Sequence, residues 1–148
     1  MDWRIKSFSE LDSLELYKIL QLRINVFMLE QDCLYPECDD KDLKGKHLFA
    51  MDQDTCIAYA RLLPPDVSYP KCSSIGRVVV HADYRKHQYG QLLMNRAIEQ
   101  IKMDYPDLPI RISAQEYLKR FYTGLGFQIE SDVYLEDNIP HLEMALYP

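Results

Sequence analysis

The segment Ile75-Gly76-Arg77-Val78-Val79-Val80 constrains this chain more than any other, because a basic turn and an amphipathic run follow it at once. Its nearly continuous β-branched character is that of a central strand covered on both faces. After the turn His81 to Gln88, Tyr89, Leu93, Ala97 and Ile101 recur at four-residue intervals. Leu92 and Ile98 widen that stripe, so a core-facing helix begins where the turn ends, and Tyr105-Pro106 stops it. A buried strand running through a short turn into a helix has the architecture of an anion site. The first helical turn leaves backbone N–H groups without partners and carries partial positive charge. Arg85, Lys86 and His87 add charge there. A solvated basic turn would carry the same residues, and the sequence alone leaves both readings open.

The local character of that charge matters because Lys+Arg 17 against Asp+Glu 23 gives a net charge of −6. Such a balance argues against broad attraction to nucleic acid or an anionic membrane. A length of 148 residues with 47% hydrophobic and 27% charged residues suits one globular domain over 1–148. Asp2, Arg4 and Lys6 interrupt any secretory h-region, and no apolar run approaches the ~20 residues that cross a bilayer. Cys33, Cys38, Cys56 and Cys72 lack the density of a disulfide scaffold, so a reducing cytoplasm is expected. Cys33-x4-Cys38 with His47 lacks the tight, doubled pairs of structural zinc sites, and no metal is expected.

Around the central strand, Trp3 and Ile5 alternate with polar residues as in a short half-buried strand. Ser9-x-x-Asp12 resembles a capping box, and helical spacing of Leu11, Leu14, Tyr17, Leu20, Val26 and Phe27 predicts one bent or two consecutive helices to about Gln31. Pro36 and the charged stretch Glu37 to Lys46 predict a mobile surface loop. His47–Met51 and Cys56–Leu63 form a predicted antiparallel hairpin around Asp52-Gln53-Asp54-Thr55. Pro109–Ala114 predicts a strand, Gln115–Leu125 a short helix stopped by Gly126, and Phe127–Ile129 and His141–Tyr147 two closing strands. The order predicts a mixed sheet with helices on both faces.

No Gly-x-x-x-x-Gly-Lys-Ser/Thr phosphate loop and no Gly-x-Ser-x-Gly elbow is present, which weakens ATPase and serine-hydrolase readings. What is present is Arg85-x-x-Gln88-x-Gly90 after the strand, and Ala114-Gln115-x-x-Leu118-x-x-Phe121-Tyr122-x-x-x-Gly126-Phe127 further on. Together these resemble the GNAT superfamily of N-acetyltransferases. Gln88 replaces the family's middle glycine, and Lys86 stands where another glycine is common. More narrowly, Val26-Phe27-x-x-Glu30-Gln31-x-Cys33-x-Tyr35-x-Glu37-x-Asp39, Ala58-Tyr59-Ala60-Arg61-Leu62-Leu63-Pro64 and Glu136-Asp137-Asn138-Ile139-Pro140-His141 resemble its ElaA-type branch. Asn138, at a position usually glycine there, suits a left-handed turn.

The resemblance implies an α/β fold with a mixed, mostly antiparallel central sheet whose fourth and fifth strands splay apart, with helices on both faces. Acetyl-CoA is the implied co-substrate, its pantetheine arm bonded by backbone groups of Val78 and Val80. Val79, Arg85, Lys86, His87, Gln88, Tyr89, Gly90, Gln91, Gln115 and Tyr122 are the other implied coenzyme contacts. The implied reaction is direct acetyl transfer to the amine of a small molecule or protein. Tyr122 matches the family's general acid, and Glu30, Glu136, Asp137 and His141 are candidates for the base or for acceptor contacts. Arg77, a charge inside an apolar strand, needs either an acidic partner or an acceptor. Acidic stretches at Glu37–Asp42 and Glu136–Asp137 suit a cationic acceptor such as a polyamine or lysine. A non-catalytic acyl-CoA-binding or regulatory module is the alternative, and the final strand permits a monomer or a homodimer.

Overall fold

The computed structural model describes residues 1–148. Its strands are β1 (Asp2–Ser7), β2 (Lys46–Asp52), β3 (Thr55–Leu63), β4 (Ser73–Val80), β5 (Ile110–Gln115), β6 (Gln128–Ile129), β7 (Tyr134–Glu136) and β8 (Ile139–Leu146). The helices are α1 (Ser13–Arg23), continued by a wide π-helical stretch Ile24–Glu30, then α2 (Tyr89–Asp104) and the short α3 (Lys119–Gly124). All strands join one sheet in the order β1-β2-β3-β4-β5-β8-β6, with β7 also on β8. Every pairing is antiparallel except β4 with β5.

The two-residue period of the strands sorts the core into two layers. Leu48, Ala50, Ala58, Ala60 and Leu62 pack on the side of α2 with its Leu93, Met94, Ala97 and Ile101. Phe49, Met51 and Tyr59 pack on the opposite side with Ile19, Leu22 and Val26 of the first helical segment. The helices therefore cover both faces, as the chain's alternation of elements predicted. In β4, Val79 joins the α1 layer while Val78 and Val80 lie against the α2 layer.

Two local features open the sheet at its centre. The β3–β4 register slips by one residue between Tyr59 and Arg61, and there Arg77 adopts a left-handed backbone with φ 52°. Before that point β4 and β5 pair at Ser73 with Ile110 and Ser74 with Arg111, and beyond it they do not pair. The remaining halves of the two strands diverge, which is the expected splay.

Four expectations need correction. Helix α1 is capped by Asp12, whose side chain accepts from Glu15 N–H at 2.7 Å while the Glu15 carboxylate accepts from Asp12 N–H at 3.0 Å. Ser9 is not the cap, because Ser7 and Glu10 close a separate single turn at Phe8–Glu10. The predicted helix Gln115–Leu125 is shorter, since Gln115 still belongs to β5 and Glu116–Leu118 is a 3₁₀ turn. Strand β7 was not anticipated; it pairs with β8 across Asp137-Asn138, both left-handed at φ 50° and 62°.

The fourth concerns the acidic loop, which is anchored by buried arginines instead of lying free. Arg23, 1% exposed, donates from Nε to Glu37 at 2.6 Å and from Nη1 to Asp42 at 2.9 Å. Arg61 reaches Asp39 at 2.8 Å and Asp42 at 3.0 Å, and Arg77 reaches Glu37 at 3.1 Å and Asp39 at 3.4 Å. Three guanidinium groups thus face three carboxylates, and Tyr35 donates its hydroxyl to Glu37. These carboxylates are spoken for, so Glu37, Asp39 and Asp42 are not free to attract a cationic acceptor. Arg77 has its acidic partners.

Candidate active site

Divergence of β4 from β5 leaves a cavity of about 520 Å³ between them. Its β4 wall contains Val78, Val79 and Val80. Val79 packs with Val26 of the α1 layer, and Val26 and Phe27 line the same cavity. Arg85 and Gly90 line the end where β4 turns into α2, and Gln115 and Tyr122 line the β5 and α3 side. The same cavity reaches Glu30, Glu136, Asp137 and His141. Lys86, His87, Gln88 and Gln91 are exposed around the start of α2 and do not line it. Tyr89 is half-buried and packs against the α2 layer.

The turn into α2 has a backbone normally reserved for glycine. Lys86 and Gln88, at the two positions where the family carries glycine, have φ 72° and 62°. A left-handed non-glycine residue costs ~1–2 kcal/mol, while glycine costs ~0.5–1 kcal/mol more chain entropy than alanine on folding. These effects nearly cancel, so Gln88→Gly is expected to shift stability by less than about 1 kcal/mol in a thermal melt. Gln88→Val, β-branched at the same backbone, is expected to lose about 1–2 kcal/mol. Equal melts for the two variants would contradict the left-handed assignment. The open first turn of α2 that follows supplies backbone N–H donors and partial positive charge.

Tyr122 packs edge-on against Phe121 and Phe127, at centroid distances of 5.2 and 5.9 Å. It is 6% exposed and its hydroxyl has no partner within the protein. Burial, with a smaller contribution from Tyr117, pushes its phenol well above the usual tyrosine range. The side chain therefore keeps its proton at all physiological pH values.

At the other end, His141 is 6% exposed and its Nδ1 lies 2.6 Å from the Ile139 carbonyl, so Nδ1 carries the hydrogen. In the neutral ring Nε2 is then the acceptor, and it lies 3.4 Å from a Glu136 carboxylate oxygen. Glu136 also accepts from Ser113 Oγ at 3.2 Å, and Ser113 in turn lies 2.5 Å from the Tyr134 hydroxyl. Tyr134 stacks on the His141 ring. Two acceptors so close together hold a proton well when an ammonium or water donates between them. Asp137 sits at the hairpin tip, where its carbonyl accepts from the Cys33 thiol at 3.6 Å. Glu30 stands elsewhere, with its carboxylate on Arg85.

Ser113 and Tyr134 were missed by sequence reasoning. The left-handed Asp137-Asn138 dipeptide, flanked by Tyr134-Leu135 and Ile139, was the signal for the hairpin that brings Tyr134 to His141. No group of three or more His, Cys, Asp or Glu side chains is arranged to hold a metal ion, and no helix is long and apolar enough to cross a membrane.

A mostly antiparallel sheet opened between two parallel central strands, with a helix N-terminus at one end of the opening, defines an acyl-CoA-type transferase fold. The acetyltransferase (GNAT) domain family matches residues 21–148, and the chain belongs to that family. N-acetyl transfer is the activity of this class of enzyme. Among its relatives, protein ElaA of Escherichia coli is 40% identical over 147 residues, covering 98% of this chain and 95% of its own. The crystal structure of that ElaA superposes with a TM-score of 0.92 over 99% of both chains, at 38% identity. A UPF0039 protein of Schizosaccharomyces pombe is 45% identical over 99% of this chain and 97% of its own. An acyl-CoA N-acyltransferase from Pseudomonas aeruginosa matches with a TM-score of 0.93 and 41% identity over 98% of each chain.

Proposed function

We propose that this chain is an acetyl-CoA-dependent N-acetyltransferase that moves the acetyl group directly to an amine of a small molecule or protein, with Tyr122 as general acid. The observation that carries this reading is the cleft between β4 and β5, which has a buried, unpartnered Tyr122 in its wall and the N-terminus of α2 at its end. The name of the P. aeruginosa relative, an acyl-CoA N-acyltransferase, supports the same coenzyme class.

In this reading Val78 and Val80 offer backbone groups to the pantetheine arm, Gly90 and the first turn of α2 receive the diphosphate, and Arg85 supplies charge to it. Lys86, His87, Gln88, Tyr89 and Gln91 shape that turn. An alkylamine has a pKa of about 10.4 and must lose a proton before it attacks. His141 Nε2 and Glu136 receive that proton, and Asp137 lies beside them at the mouth. The amine nitrogen bonds to the thioester carbonyl carbon, and the resulting tetrahedral intermediate collapses with cleavage of the carbon–sulfur bond. Tyr122 gives its proton to the departing thiolate and regains one from solvent.

The test is thiol release from acetyl-CoA with a panel of primary amines, with the acetylated product identified by mass spectrometry. Amine-dependent thiol release is expected. Coenzyme binding without thiol release for any amine would instead favour a non-catalytic acyl-CoA module. Replacing His141 by Asn is expected to lower the rate about 100-fold or more while leaving coenzyme affinity unchanged.

A further inference from the structure

Glu30 is the last residue of the π-helical stretch, and it meets Arg85 through two bonds, Nη1 to Oε2 at 2.7 Å and Nη2 to Oε1 at 3.2 Å. The remaining edge of Arg85 is held as well, since Nε donates to the Val80 carbonyl at 3.1 Å. Next in the chain, Gln31 accepts from Gln115 Nε2 at 3.4 Å. One helix end therefore reaches both lips of the cleft, through Arg85 beyond β4 and through Gln115 at the end of β5.

Building on the coenzyme reading of this cleft, we infer that Glu30 is a displaceable counter-ion that sets the affinity of the coenzyme site. A diphosphate arriving at the start of α2 requires the same guanidinium edge that Glu30 occupies. It either expels the carboxylate or shares Arg85 against like-charge repulsion, and in both cases Glu30 subtracts from coenzyme binding. Displacement is feasible because both side chains are 42% exposed, and exposed ion pairs are weak. A π-helical stretch also gives slack, since its hydrogen bonds interconvert with those of an α-helix by a shift of one residue. Glu30 is thus a coenzyme-affinity residue and not the base for the acceptor.

Calorimetric titration of the full chain with CoA tests this in parent and Glu30→Gln, each at low and at high NaCl. Glutamine keeps the side-chain length and removes the charge. The Glu30→Gln variant is expected to bind CoA about two- to five-fold more tightly at low salt, as befits an exposed pair. That gain is expected to shrink toward 1 M NaCl, where the Debye length falls to about 3 Å. Glu30→Ala is carried in parallel, so that a folding defect of one substitution does not decide the result. Unchanged or weaker binding in folded variants, with measurable binding in the parent, overturns the counter-ion role. A parent that does not bind CoA overturns the coenzyme reading, and this inference with it.

Discussion

Tyr122→Phe is expected to lower kcat by about 100-fold or more with the best amine of the panel, in line with the contribution of a positioned general acid. The affinity for CoA is expected to stay within about two-fold, because the change removes one hydroxyl and leaves the ring. Phenylalanine keeps the packing against Phe121 and Phe127, so the fold should persist. The raised phenol adds a pH signature: Tyr122 remains protonated through the ordinary tyrosine range, so kcat should not decline from its ionisation below about pH 10. A variant with parental kcat would remove Tyr122 from the role.

Asp42→Ala is expected to cost about 3–5 kcal/mol of stability, the usual penalty for breaking a buried ion pair. Its carboxylate serves Arg23 at 2.9 Å and Arg61 at 3.0 Å, and both guanidinium groups are almost wholly out of water. Losing it leaves three buried or half-buried arginines sharing Glu37 and Asp39. Denaturant unfolding measures the loss, and a change under 1 kcal/mol would contradict the account of the loop. The network also sets the acid response. Burial alone would raise the Asp39 and Asp42 carboxyls, but hydrogen bonds and charge from their arginines outweigh it and hold both below the usual aspartate range. Depressed native values mean that this stabilisation is complete above the unfolded pKa of about 3.9 and is lost as pH falls through the native values. Acid unfolding, followed by circular dichroism, should therefore be confined to below about pH 4.

Much of the fold could be read directly from the chain. Leu48 to Met51 and Val78 to Val80 alternate between two helical layers, and α2 announces itself through Leu93, Ala97 and Ile101, because burial imposes a period that composition displays. The cleft followed from motif resemblance, not from physics alone: nothing in Val78-Val79-Val80 distinguishes a wall of a ligand site from an ordinary core strand. What escaped was long-range. Glu37 and Asp42 look like solvated loop charges until the fold brings Arg23, Arg61 and Arg77 to them across 14 to 40 residues of chain. Cap placement was misread for the opposite reason. Two boxes, Ser7–Glu10 and Asp12–Glu15, follow one another and the Ser9-x-x-Asp12 spacing straddles them, while Glu15 is fixed by Arg4 at 2.8 Å and Lys6 at 2.8 Å from β1. Lys86 and Gln88 show the limit of residue type, since their left-handed backbone is set by the turn they occupy.

Whether the opening between β4 and β5 is the coenzyme site is decided by a crystal structure of the protein grown with CoA. The pantetheine arm is expected between the diverging strands, bonded to the backbone of Val78 and Val80, with the diphosphate at the first turn of α2 and the sulfur beside the Tyr122 hydroxyl. Coenzyme bound at another surface, or an empty cleft in crystals saturated with CoA, would contradict it.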